Sequence, residues 1–303
     1  MKHTILISAL IAAAALTGCN SPKAIITSSD NGEYTLSSGK LSMTIDAVNG
    51  ARIVSFKYED SEILSQTRLP SYFGSTFWVS PQSYWGWPPI PEHDEMAYSV
   101  DELPDEGRII MTSQLSEKIP LRIIKDFTTD AKDGSFVITY SLKNEADSVW
   151  KAAPWEITRV PPEGLIFFNT PEDVDLSASP IPFKAEYGIK WYETDQADRN
   201  RIINFDGKGW LGYVGNGLLF IKKFQDIEKT QPAPRSNEIQ IYVNKGKTYI
   251  EIENQGAYTV LQPGESLSWT VRWYLQPYNG EVTPSDGLAR KALSIGGLSR
   301  KGR

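Results

Sequence analysis

The strongest constraint on this chain is a long succession of short alternating or β-branched runs, each closed by turn residues. Residues 41–46, 51–58, 108–114, 121–128 and 135–144 read this way, as do 210–214, 218–223, 239–243, 249–253 and 268–274. A period of two sends alternate side chains to opposite faces, so each run predicts a strand. Asn49-Gly50 and Asn216-Gly217 lie between such runs and supply the positive φ that a tight hairpin needs. Helical character is confined to residues 285–295, with Ser285 as N-cap and Gly296 as stop. No linker interrupts residues 33–278. The expectation is all-β: one large antiparallel β-sandwich over 33–280, then a short C-terminal helix and basic tail over 281–303.

Charge and cysteine content narrow the chemistry. The 37 acidic residues outnumber the 31 basic ones, and a net charge of −6 argues against nucleic acid as partner. There is no phosphate loop with its lysine, no dinucleotide fingerprint, no His-Glu-x-x-His and no Gly-x-Ser-x-Gly elbow. Acidic clusters at 92–95 and 172–175 lack a calcium-loop pattern, so neither a metal nor a cofactor is expected.

The N-terminus reads as an address. Lys2 and His3 precede an apolar stretch, 5–16, too short to span a bilayer, which ends in Leu16-Thr17-Gly18-Cys19. This resembles a bacterial lipobox. The resemblance implies a signal peptide over 1–18, cleavage before Cys19, lipid on that cysteine and a tether over 19–32. The expected location is the bacterial cell envelope, lipid-anchored and facing either the periplasm or the outside. After cleavage the chain has no free thiol, and His93 is its sole histidine, which excludes a Cys nucleophile and a multi-His zinc site.

Aromatic and ionisable residues mark the candidate site. Residues 80–95 place Tyr84, Trp85 and Trp87 beside Gly86 and four prolines, on a stiff loop. Flat rings presented this way suit the apolar faces of sugars, or else they plug one end of the sandwich. His93, flanked by Glu92, Asp94 and Glu95, is expected to favour its cationic form and to suit a general acid, or to be merely solvated. Glu251 and Glu253 alternate with Ile250 and Ile252, so both carboxylates leave one face of a strand, either toward a ligand or toward solvent. Trp155 and Glu156, with Arg159 three residues on, could hold a sugar hydroxyl or form a structural ion pair. Gln82 and Asn237 are further amide candidates for hydroxyl groups.

Several segments together resemble the galactose mutarotase-like (aldose 1-epimerase-like) superfamily. Leu41-Ser42-Met43-Thr44-Ile45 with Gly50-Ala51-Arg52-Ile53-Val54-Ser55-Phe56 is similar to its first hairpin. Tyr72-Phe73-Gly74-Ser75-Thr76-Phe77-Trp78 resembles its substrate-side strand. Asn237-Glu238-Ile239, Tyr249-Ile250-Glu251-Ile252-Glu253 and Leu261-Gln262-Pro263-Gly264-Glu265-Ser266 resemble the segments that close the sandwich. Trp78-Val79-Ser80-Pro81-Gln82 and Ala153-Pro154-Trp155-Glu156-Ile157-Thr158 resemble an uncharacterised envelope-protein branch. The resemblance implies a many-stranded β-sandwich, a saccharide or glycan ligand, and Glu253 as the base that takes the anomeric proton. A mutarotase pairs its glutamate with two histidines, whereas only His93 is at hand here. Three functions stay open: a carbohydrate-binding envelope protein, an epimerase or glycan-cleaving enzyme using His93 and Glu253, and a structural lipoprotein.

Overall fold

A computed structural model describes residues 23–67, 72–171, 176, 178–246 and 248–298. Cys19 and the expected signal segment lie outside the described residues. Two antiparallel sheets of eleven and ten strands pack face to face. The larger sheet carries Ser75–Ser80, Trp150–Val160, Ile250–Gln255, Ile239–Val243 and Arg201–Phe205 side by side, in that order. Ile25–Ser28, expected in the tether, is instead an edge strand paired with Glu33–Ser38.

Burial on both faces explains the continuous apolar runs of the smaller sheet. In Leu165–Phe168, Ile166 and Phe168 enter the core between the sheets, while Leu165 and Phe167 face the C-terminal helix. Leu218 and Phe220 divide from Leu219 and Ile221 in the same way. The helix, Asp286–Ser294, covers that outer face with Leu288, Ala289 and Ala292. The Ser285 hydroxyl caps it by accepting from the Leu288 N–H at 3.2 Å, and Gly296 ends it at φ 61°.

Turn chemistry fixes the hairpins. Asn216 and Gly217 have φ of 52° and 71°, the pair of left-handed residues that a two-residue hairpin demands. At the earlier hairpin the positive pair is Gly50 and Ala51, at 67° and 47°, one residue beyond the Asn-Gly position. Gly50 also lets backbone approach backbone: a Cβ there would lie 2.3 Å from the Asp94 carbonyl oxygen. That contact, with Gly50 N–H donating to Met96 O at 3.0 Å, fixes the helical turn Pro91–Asp94 against the hairpin.

Candidate functional site

Strand register assembles the site on the outer face of the larger sheet. Trp78, Trp155 and Gln255 share one row across three strands. The next row holds Thr76, Ile157, Glu253 and Gln240, and a third holds Arg159, Glu251 and Tyr242. Residues two apart on a strand share a face, so these rows form one polar and aromatic surface. The intervening residues Phe77, Glu156, Asn254 and Ile252 turn toward the other sheet.

Over this surface lies a cavity of about 540 Å³, within the range of small-ligand sites. Its aromatic wall runs as a series of ring contacts. Tyr242 meets Tyr249 at 6.3 Å and Tyr249 meets Tyr72 at 6.1 Å. Tyr72 then meets Trp87 at 6.1 Å, Trp87 meets Trp78 at 6.2 Å, and Trp78 meets Trp155 at 5.2 Å. Asp94 steers Trp78 by accepting its indole N–H at 2.7 Å, and Arg52 pairs with Asp94 at 3.3 Å.

The floor is a pair of carboxyls. Trp155 Nε1 donates to Glu253 Oε2 at 2.6 Å, and Gln240 Nε2 donates to Oε1 at 3.1 Å. Each oxygen keeps a second lone pair for the cavity. Arg159 Nε pairs with Glu251 Oε1 at 2.9 Å, and its Nη1 donates to Thr76 Oγ1 at 3.3 Å. Burial, and then the nearby Glu251, push the Glu253 carboxyl well above the ordinary carboxylate range. Glu251 is raised by burial as well, although Arg159 opposes the shift. The arrangement favours the protonated form of Glu253 over that of an ordinary carboxylate, and Glu251 can accept hydrogen bonds from hydroxyl groups.

No protein-family model matches the chain, and no curated protein matches it. Solved structures do. A galactose mutarotase-like protein from Lactobacillus casei ATCC 334 superposes with TM-score 0.57 at 13% identity, covering 81% of this chain and 100% of its own. An aldose 1-epimerase candidate from Escherichia coli K12 gives 0.58 at 13% identity, covering 81% of this chain and 99% of its own. The galactose mutarotase related enzyme from Lactobacillus acidophilus gives 0.55 at 13% identity, over 83% of this chain and 100% of its own. The chain has the galactose mutarotase-like fold.

Of the residues singled out from sequence, Gln82, Trp87, Trp155, Glu251 and Glu253 line the cavity of this mutarotase-like sandwich. His93 does not line it. Rather than a solvated cation, His93 is 2% exposed, and burial lowers its pKa to about 4, so it is neutral at physiological pH. The acidic neighbours that promised a cation count for less than this desolvation, because Pro91–Asp94 folds as a turn with His93 facing inward. Trp85 is also buried, donating its indole N–H to Val79 O at 2.7 Å, and it serves as an anchor for the loop. Tyr84 packs edge-on against Trp150, and its hydroxyl meets that of Tyr258 at 2.6 Å.

Glu156 turns the other way. It lies between the sheets, where its Oε2 is 2.6 Å from Lys222 Nζ and its Oε1 accepts from the Tyr140 hydroxyl at 2.7 Å. Its partner is therefore Lys222 rather than Arg159, since residues three apart on a strand face opposite ways. Asn237 is half-buried just before Ile239–Val243 and stands outside the cavity lining. Among the described residues, no cluster of His, Cys, Asp and Glu is arranged to hold a metal ion.

Gln240, Tyr242, Tyr72, Tyr249 and Trp78 also line the site, although none was named as a candidate site residue. Ile239-Gln240-Ile241-Tyr242-Val243 carries the same alternation that exposed Glu251 and Glu253, so that pattern could have found two of them.

Proposed function

We propose that the cavity binds a saccharide and that the protein is a carbohydrate-binding protein. One observation carries the reading: Glu253, oriented by Trp155 and Gln240, forms the polar base of an aromatic-walled cavity. Pyranose rings present apolar faces to aromatics and hydroxyl groups to carboxyls, and this cavity offers both. Calorimetric titration with glucose, galactose, xylose and N-acetylglucosamine tests it, and at least one should bind. Glu253→Gln turns an amide N–H₂ toward one of the two donors and is expected to weaken that binding about tenfold, the scale of one spoiled buried hydrogen bond. Failure of all four, and of their trisaccharides, to bind at millimolar concentration would overturn the proposal.

The raised Glu253 carboxyl beside Glu251 favours a second reading, proton transfer at the anomeric carbon as in an aldose epimerase. As a base Glu253 acts only when ionised, so the rate of mutarotation should climb with pH. Polarimetry separates the two readings: acceleration by the wild type, lost in Glu253→Gln, adds catalysis, and no acceleration leaves binding alone. The lipobox-like Leu16-Thr17-Gly18-Cys19 supports a further proposal, that lipid on Cys19 tethers the domain to the cell envelope. Labelled fatty acid should enter the wild type, and labelling that survives Cys19→Ala would remove the anchor.

A further inference from the structure

Trp87 stands on a ridge between two cavities. It lines the cavity described above and also a second groove of about 480 Å³, lined as well by Pro89, Met96, Gln114, Leu115 and Glu117. Trp87 is 57% exposed, and Met96 and Leu115 are 38% and 39% exposed. Large apolar side chains in the open are thus gathered along the groove, and such gatherings mark binding surfaces.

The ridge is held in place. Trp85, two residues before Trp87, is buried and donates to Val79 O at 2.7 Å. Gln82 Nε2 donates to Gly86 O at 3.1 Å, and Lys118 Nζ, from across the groove, donates to Trp85 O. Loop entropy is therefore largely spent before any ligand arrives. Gln114 and Glu117 lie on either side of Leu115 and Ser116, so the groove offers hydrogen-bonding groups between apolar ones.

We infer that the ligand is an oligosaccharide of two or more units, whose chain crosses Trp87 and lays a further ring in the second groove. The inference rests on the saccharide reading of the first cavity. A single ring has no use for the groove. A glycan chain repeats an apolar ring face and a set of hydroxyl groups, which matches two aromatic-edged cavities sharing one indole.

Calorimetry on the full chain provides the test, comparing glucose, galactose, xylose and N-acetylglucosamine with cellotriose, maltotriose, galactotriose, xylotriose and triacetylchitotriose. One trisaccharide should bind at least about tenfold tighter than its own monosaccharide, the return on a second apolar anchor. Leu115→Ser should abolish that gain and leave monosaccharide affinity unchanged. Met96→Ser, at another exposed position, is expected to do the same and guards against a folding defect in the first variant. Monosaccharide binding with no gain for any trisaccharide, or a gain that persists in both variants, overturns the second groove while leaving the first cavity standing. No binding by any sugar overturns both.

Discussion

Lys222→Met is expected to lower unfolding stability by about 3–5 kcal/mol, the cost of stripping one partner from a fully buried ion pair. Both side chains of the Lys222–Glu156 pair are 0% exposed, and the pair bridges the two sheets at 2.6 Å. Lys222 Nζ also donates to Thr158 Oγ1 at 2.8 Å and to Ile252 O at 3.3 Å. Methionine fills the same space but leaves the Glu156 carboxyl supported in the core by the Tyr140 hydroxyl. The double variant Lys222→Met/Glu156→Leu removes the stranded charge and should recover at least half of the loss. Recovery stays partial because Tyr140 then lacks an acceptor. Urea unfolding of wild type, both single variants and the double gives the coupling directly. Single-variant losses below 1 kcal/mol, or a double variant equal to the sum of the singles, would refute this account of the core.

Arg159→Met is expected to damage stability and binding together. Arg159 is 1% exposed, pairs with Glu251 at 2.9 Å, and lies over the rings of Tyr72 and Trp78. Glu251 and Glu253 both have folded pKa values above the ordinary 4.5, and Arg159 pulls both down. A carboxyl raised on folding binds more protons folded than unfolded, so its stability contribution falls as pH rises from 4.5 through the folded value. Removing Arg159 raises both groups further, and the gap between wild type and variant must widen with pH. The expected gap is about 3 kcal/mol at pH 8 and smaller at pH 5, with saccharide affinity down at least about tenfold. Arg159→Lys keeps the charge but not the planar group that reaches Glu251 and Thr76 at once, so it should restore only part. Urea midpoints at the two pH values check the sign, and a gap independent of pH would refute it.

Much of the fold was legible because strand alternation and turn chemistry are local. Residues 41–46, 135–144, 218–223 and 239–243 coincide with observed strands, and Ser285 caps the helix as expected. Trp150–Val160 was not among the strand runs, and it carries Pro154, a residue ill-suited to a central strand. Pro154 is tolerated where the strand changes partners, from Thr259–Leu261 beside residues 150–152 to Ile250–Gln255 beside residues 155–160. The site was half legible for a similar reason. Glu251 and Glu253 follow from alternation, but the inward turn of His93 depends on packing against the 50–51 hairpin. The pairing of Arg159 with Glu251 depends on strand register, and Lys222 reaches Glu156 only because the two sheets stack. None of these is written within a few residues of the group concerned.

The proposed saccharide site is the outer-face cavity floored by Glu253 and walled by Trp155 and its aromatic neighbours. A crystal structure of the protein with a bound sugar tests it most directly. The account predicts a pyranose ring whose apolar face meets an aromatic side chain of the wall, with a hydroxyl group within hydrogen-bonding distance of Glu253 or Glu251. A well-ordered sugar elsewhere on the molecule, with this cavity holding only solvent, would contradict it.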